Sequence, residues 1–141
     1  MCIALYLFTN NQVDEIAFDE STPAFYIERI TGGSSESDRM TNEWGFSESN
    51  IYYLGSSQGC GCGWAALDEK HDAEIEIAKM INDREKLRQL LSSKDFNGSR
   101  LIACWEGDQG KPLKRREPIR LSDIVNLHFD FEECVNYVLC K

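Results

Sequence analysis

The chain has 141 residues, 42% of them apolar and 28% charged, which fits one globular domain spanning residues 1–141 and excludes a disordered, collagenous or coiled-coil chain. No apolar run reaches the ~20 residues that a membrane-spanning helix needs. Fifteen Lys and Arg against 24 Asp and Glu give a formal net charge of −9, and such a surface repels phosphate backbones and anionic lipid, so neither general nucleic-acid binding nor membrane docking is expected.

The first apolar run, Cys2–Phe8, is β-rich and stops at the turn cluster Thr9-Asn10-Asn11. It carries neither a basic n-region nor a small-residue cleavage site, so it reads as a strand rather than a signal peptide, and the expected compartment is the cytosol. Thiols stay reduced there, and Cys2, Cys104, Cys134 and Cys140 then read as small buried hydrophobes within strands. A second strand is expected over Phe25–Ile30. The polar, glycine-rich stretch Thr31–Asp38 reads as a flexible loop. Asn50–Leu54 is a third strand, and its two tyrosines, Tyr52 and Tyr53, lie on opposite faces.

Between about Asp68 and Ser93 the spacing predicts the one long helix. Ile77, Met80, Ile81, Leu87, Leu90 and Leu91 recur at steps of three and four and form one apolar stripe. Acids crowd its front, with Asp68 or Asp72 as N-cap. Arg84, Lys86, Arg88 and Lys94 stand at its rear, an order that suits the helix dipole. Asn97-Gly98 turns the chain into a strand over Arg100–Trp105. Pro118–Leu121 reads as a short strand hairpinned to it, Ser122–Val125 as one capped turn, His128–Phe131 as an alternating segment and Cys134–Cys140 as the last strand. The three tryptophans, Trp44, Trp64 and Trp105, read as packed at sheet ends with their N–H groups at the surface. Strands outnumber helices and mostly follow one another without an intervening helix. The expected fold is therefore α+β: an antiparallel or mixed sheet of about five to six strands with one long helix packed on a face.

Two features carry chemistry. Gly59-Cys60-Gly61-Cys62-Gly63-Trp64 follows the third strand, and its two thiols point the same way if the chain there is extended. Four readings stay open, with packing first: glycines that admit a close backbone and cysteines that fill small spaces. The others are a strained redox dithiol, a metal site in which Cys60 and Cys62 are joined by His71, and an anion cradle of loop amides. The second feature is the basic segment Lys114-Arg115-Arg116, which reads first as a solvated loop and otherwise as a contact for a small anion or an acidic partner. No nucleophilic elbow, zincin helix or EF-hand loop is present.

The stretch Tyr52-Tyr53-Leu54-Gly55-Ser56, followed by Gly59-Cys60-Gly61-Cys62-Gly63-Trp64, resembles a small family of bacterial proteins to which no activity is attached. That resemblance implies a bacterial cytosolic protein and assigns no catalytic residue. The expected function is a small interaction module without a cofactor, because no nucleophile–base set is legible while an acidic first third and the basic segment offer opposite charges. The alternative is thiol-redox or metal chemistry in the glycine–cysteine loop.

Overall fold

The structure, a computed structural model, describes residues 2–45 and 47–140. Six strands form one mixed sheet in the order β2-β3-β1-β4-β6-β5, comprising β1 (Ile3–Thr9), β2 (Tyr26–Ile30), β3 (Asn50–Gly55), β4 (Arg100–Trp105), β5 (Arg115–Ile119) and β6 (Val135–Leu139). Every pairing is antiparallel except β5 with β6. The fold is therefore the expected α+β arrangement with a long helix, α2 (Glu74–Ser92), on one face.

The sheet centre explains why β1, β3 and β4 read as near-continuous apolar runs. Each is covered on both sides, and successive residues alternate between two cores. Leu5, Leu7, Tyr52, Leu54, Leu101 and Ala103 face the α2 side together with Leu87 and Leu91. Ala4, Tyr6, Phe8, Ile102 and Cys104 face the other side, where Met40 and Trp44 close the core.

Met40 and Trp44 belong to a helix that replaces much of the expected loop, α1 (Ser35–Trp44). Only the turn before it survives from that expectation, with Gly33 at φ +92°. The Ser34 hydroxyl accepts the Ser37 N–H at 3.0 Å, Glu36 and Asp38 occupy the first turn, and Gly45 ends the helix at φ +64°. Ten residues with two large anchors at an i,i+4 spacing give a weak periodic signal, although the cap, the acids and the glycine were each visible.

Helix α2 starts later than predicted, at Glu74, behind Ala73. Asp68 and Asp72 instead close a separate turn, in which the Asp72 carboxylate accepts the Asp68 N–H at 2.8 Å. Its inner face keeps Met80, Leu87, Leu90 and Leu91 of the predicted stripe but differs from it elsewhere. Ile81 is exposed, and the buried positions are Met80, Asp83, Arg84, Leu87 and Leu91. Arg84, read as one of the basic residues toward the rear of the helix, is fully buried. Among the described residues it contacts no carboxylate, and its guanidinium donates to main-chain carbonyls: Trp64 (3.0 Å), Ala65 (3.4 Å), Ile124 (3.1 Å), Asn126 (3.0 Å) and Phe129 (3.0 Å). Burial lowers its pKa to about 10, and the guanidinium also lies 5.7 Å from the centre of the Phe131 ring. One side chain thus ties α2 to the end of the glycine–cysteine loop and to α3 (Leu121–Ile124) with the segment after it.

The C-terminal third also departs from expectation. Residues 115–119 form an edge strand that runs parallel to β6, not a hairpin with β4. His128–Phe131 is not a strand, and Phe129 and Phe131 both turn to the aromatic cluster around Tyr137. Trp64 lies in the core rather than at a surface, with its indole N–H donating to the Leu54 carbonyl at 2.9 Å.

Candidate functional site: a three-thiol cluster

The glycine–cysteine loop leaves β3 and folds back over the beginning of β1. Ser56, fully buried, organises it. Its hydroxyl donates to the Cys60 carbonyl (2.6 Å) and accepts the amides of Gln58 (3.2 Å) and Gly63 (3.1 Å). Gly59 turns the chain at φ +80°, a conformation that side chains disfavour. Gly61 crosses the β1 backbone so closely that a Cβ there would lie 2.2 Å from the Ile3 carbonyl oxygen. The chain then enters a 3-10 turn, Gly61–Trp64. Asp83 anchors the loop from α2, accepting the Ser57 amide (3.0 Å) and hydroxyl (2.7 Å).

Gly61 thus docks on Ile3 while its two neighbours carry thiols, and Cys2 precedes Ile3. The sulfurs of Cys2, Cys60 and Cys62 come within 4.8 Å of one another. Cys60 and Cys62 are half-buried, while Cys2 is exposed, which corrects its reading as a buried hydrophobe. The site joins the residue before β1 to the loop after β3, and the sequence does not announce that these two strands pair, so Cys2 was missed as its third member. His71 is not a member. It is exposed and places Nδ1 2.7 Å from an Asp68 carboxylate oxygen.

The thiols are not equivalent. Burial pushes the Cys60 thiol up to about 11, even though its sulfur accepts the Cys62 amide at 3.4 Å. Burial opposes ionisation of Cys62 as well, but the Ile3 amide and hydrogen bonds from Cys60 and Cys2 outweigh it and hold Cys62 below the usual thiol value. Of these two neighbours, Cys62 is the one whose surroundings favour the thiolate.

The surroundings are acidic. The Glu106 amide donates to the Cys2 carbonyl at 2.8 Å, extending the β1–β4 ladder by one step. Tyr26, Glu28, Ile30, Glu36, Tyr53 and Glu106 line a cleft of about 280 Å³. Tyr26 donates its hydroxyl to the Gly59 carbonyl at 2.7 Å. Burial raises the pKa of Tyr53, and the charges of Glu106 and Cys60 raise it further, which ties this cleft electrostatically to the cluster.

The basic segment is placed differently. Arg115 pairs with Glu117 and Glu132, and Lys114 lies 3.5 Å and 3.6 Å from Glu132 and Glu133. Both belong to one surface network along the β5 edge, and Arg116 is exposed beside them. No family model, curated protein or solved structure matches the chain, so these side chains themselves carry the functional argument.

Proposed function

We propose that this protein binds a thiophilic cation of the zinc or cuprous class through Cys2, Cys60 and Cys62. The carrying observation is the mutual approach of the three sulfurs to within 4.8 Å. An ion held at a metal–sulfur distance of ~2.3 Å spaces three thiolates roughly 3.8–4.0 Å apart, so loading asks for sub-ångström adjustments only. Soft sulfur ligands select such ions over magnesium or calcium. The acidic cleft beside the cluster and the net charge of −9 raise the local cation concentration. Three protein ligands leave a fourth position for water or an incoming ligand.

This reading takes the thiol alternative over the interaction module because the charge of Lys114 and Arg115 is already met by Glu117, Glu132 and Glu133. It calls for a reducing compartment, consistent with the cytosolic expectation.

The test is titration of the reduced protein with Cd²⁺, followed by the ultraviolet sulfur-to-metal charge-transfer band and then by competition with Zn²⁺. One ion per chain, with proton release on binding, is expected. Cys60→Ser and Cys62→Ser should each abolish the tight site, and Cys104→Ser should leave it. A wild-type titration without a saturating band, or one unchanged in the Cys60→Ser, Cys62→Ser double variant, would refute the proposal.

A second reading has its own observation, the lowered Cys62 next to the raised Cys60. With oxidised glutathione as oxidant, the Cys62 thiolate attacks one sulfur and expels a glutathione thiolate. Cys60 or Cys2 then loses its proton and displaces the second glutathione, leaving a protein disulfide. Mass analysis after exposure to oxidised glutathione distinguishes it: rapid loss of two hydrogens within this cluster supports exchange chemistry, and inert thiols exclude it.

A further inference from the structure

At the C-terminal end of α2 lies a partly open cavity of about 670 Å³, a size typical of small-molecule sites. Leu91, Phe96, Leu121 and Leu139 supply apolar walls, and Lys94 and Arg120 stand among the lining residues. The cavity arises because α2 stops at Ser92, the chain swings out through Asp95–Gly98, and α3 begins only after Arg120. Gly98, at φ +84°, returns the chain by donating its amide to the Leu139 carbonyl at 2.9 Å.

The charged side chains around this cavity are engaged locally, with one exception. The carboxylate of Asp95 accepts the Asn97 amide at 3.0 Å, and that of Asp123 accepts the Arg120 amide at 2.8 Å. The Lys94 ammonium donates to the Gln12 carbonyl at 2.9 Å. The hydroxyls of Ser92 and Ser93 donate to the carbonyls of Gln89 (3.0 Å) and Leu90 (2.6 Å), which blunts the negative end of the helix. The exception is the exposed guanidinium of Arg120, which has no hydrogen bond or ion pair to any described residue. A planar, permanently charged fork over an apolar chamber matches a carboxylate on an apolar body.

We infer that this cavity binds a small amphipathic carboxylate, with its alkyl or aryl body against Leu91, Phe96, Leu121 and Leu139 and its head on Arg120. The inference is independent of the thiol cluster, which lies on another part of the fold.

Calorimetric titration of the intact reduced protein with octanoate, octanol and octylammonium, at monomeric ligand concentrations, tests it. Octanoate should bind saturably at one site per chain and at least about tenfold more tightly than the other two. Arg120→Gln, a surface change, should reduce octanoate to the affinity of octanol. Leu121→Trp should fill the chamber and abolish binding of both, with circular dichroism confirming that each variant is folded. If Leu121→Trp does not fold, Arg120→Gln alone decides the matter. Absence of octanoate binding, equal affinity for all three ligands, or unchanged affinity in Arg120→Gln would overturn the inference.

Discussion

The chain holds two groups of cysteines that differ in almost every physical respect. Cys104 and Cys134 lie in the core beneath α1, beside Ala4, Tyr6 and Ile102. Burial pushes Cys104 up to about 12, and Cys134 is raised for the same first reason, so both behave as small hydrophobes. Cys2, Cys60 and Cys62 gather where β1 begins, half-buried or exposed, with main-chain amides of Ile3 and Cys62 close to their sulfurs. Partial burial alone does not separate reactive from inert thiols, since Cys60 is itself raised. A thiol is poised where amide donors reach its sulfur and outweigh the loss of water, as at Cys62.

The largest expected way to break this contrast acts from a distance. Arg84 satisfies the Trp64 and Ala65 carbonyls at the end of the cysteine loop, along with three others near α3. Arg84→Met leaves these carbonyls without their donor and should cost about 4 kcal/mol, measured by urea unfolding. Cysteine labelling of the native fraction should rise in the gathered group before it rises at Cys104. A cost under about 1 kcal/mol would mean that water replaces the guanidinium.

Next in size is Gly61→Ala. The added methyl meets the Ile3 carbonyl and should cost about 3 kcal/mol. It should also part the thiols and weaken Cd²⁺ binding. Leu87→Ala, in the core away from the cluster, should cost about as much and spare the metal site. Equal metal affinity in these two variants would dissolve the link between glycine docking and thiol assembly.

A smaller effect compares the two groups directly. Cys104→Ser buries a hydroxyl in an apolar core and should cost about 2 kcal/mol, whereas Cys60→Ser at the half-exposed site should cost under about 1 kcal/mol. The reverse order in thermal unfolding would show that the gathered thiols are the structural ones.

The gentlest test needs no substitution. The thiolate is the form that alkylates, so a lowered value moves the reaction to lower pH and a raised value to higher pH. Iodoacetamide mapped by peptide mass analysis should modify Cys62 before Cys60 near neutral pH. Cys60 should follow only as the pH approaches about 11, and Cys104 only on unfolding. Simultaneous modification of Cys60 and Cys62 at neutral pH would erase the distinction between them.

Much of the fold was legible because the patterns that encode it are local. Buried central strands must be apolar on both faces, so β1, β3 and β4 announced themselves. The C-terminal half of α2 followed its leucines, and Leu87 and Leu91 are buried as their spacing implied. Short α1 was hidden because two anchors do not make a periodicity. Tertiary structure alone decided the rest, because each remaining feature depends on partners remote in the chain. Charge on a helix reads as solvent-facing until something supplies acceptors, and the carbonyls that allow Arg84 to be buried come from up to 45 positions away. Cys60 and Cys62 were visible as a pair, but their third thiol precedes β1, and only the antiparallel β1–β3 pairing brings the start of β1 beside the end of β3. Gly61 joins the two levels. The sequence demands a residue without a side chain there, and only the folded chain reveals that the Ile3 carbonyl is the reason.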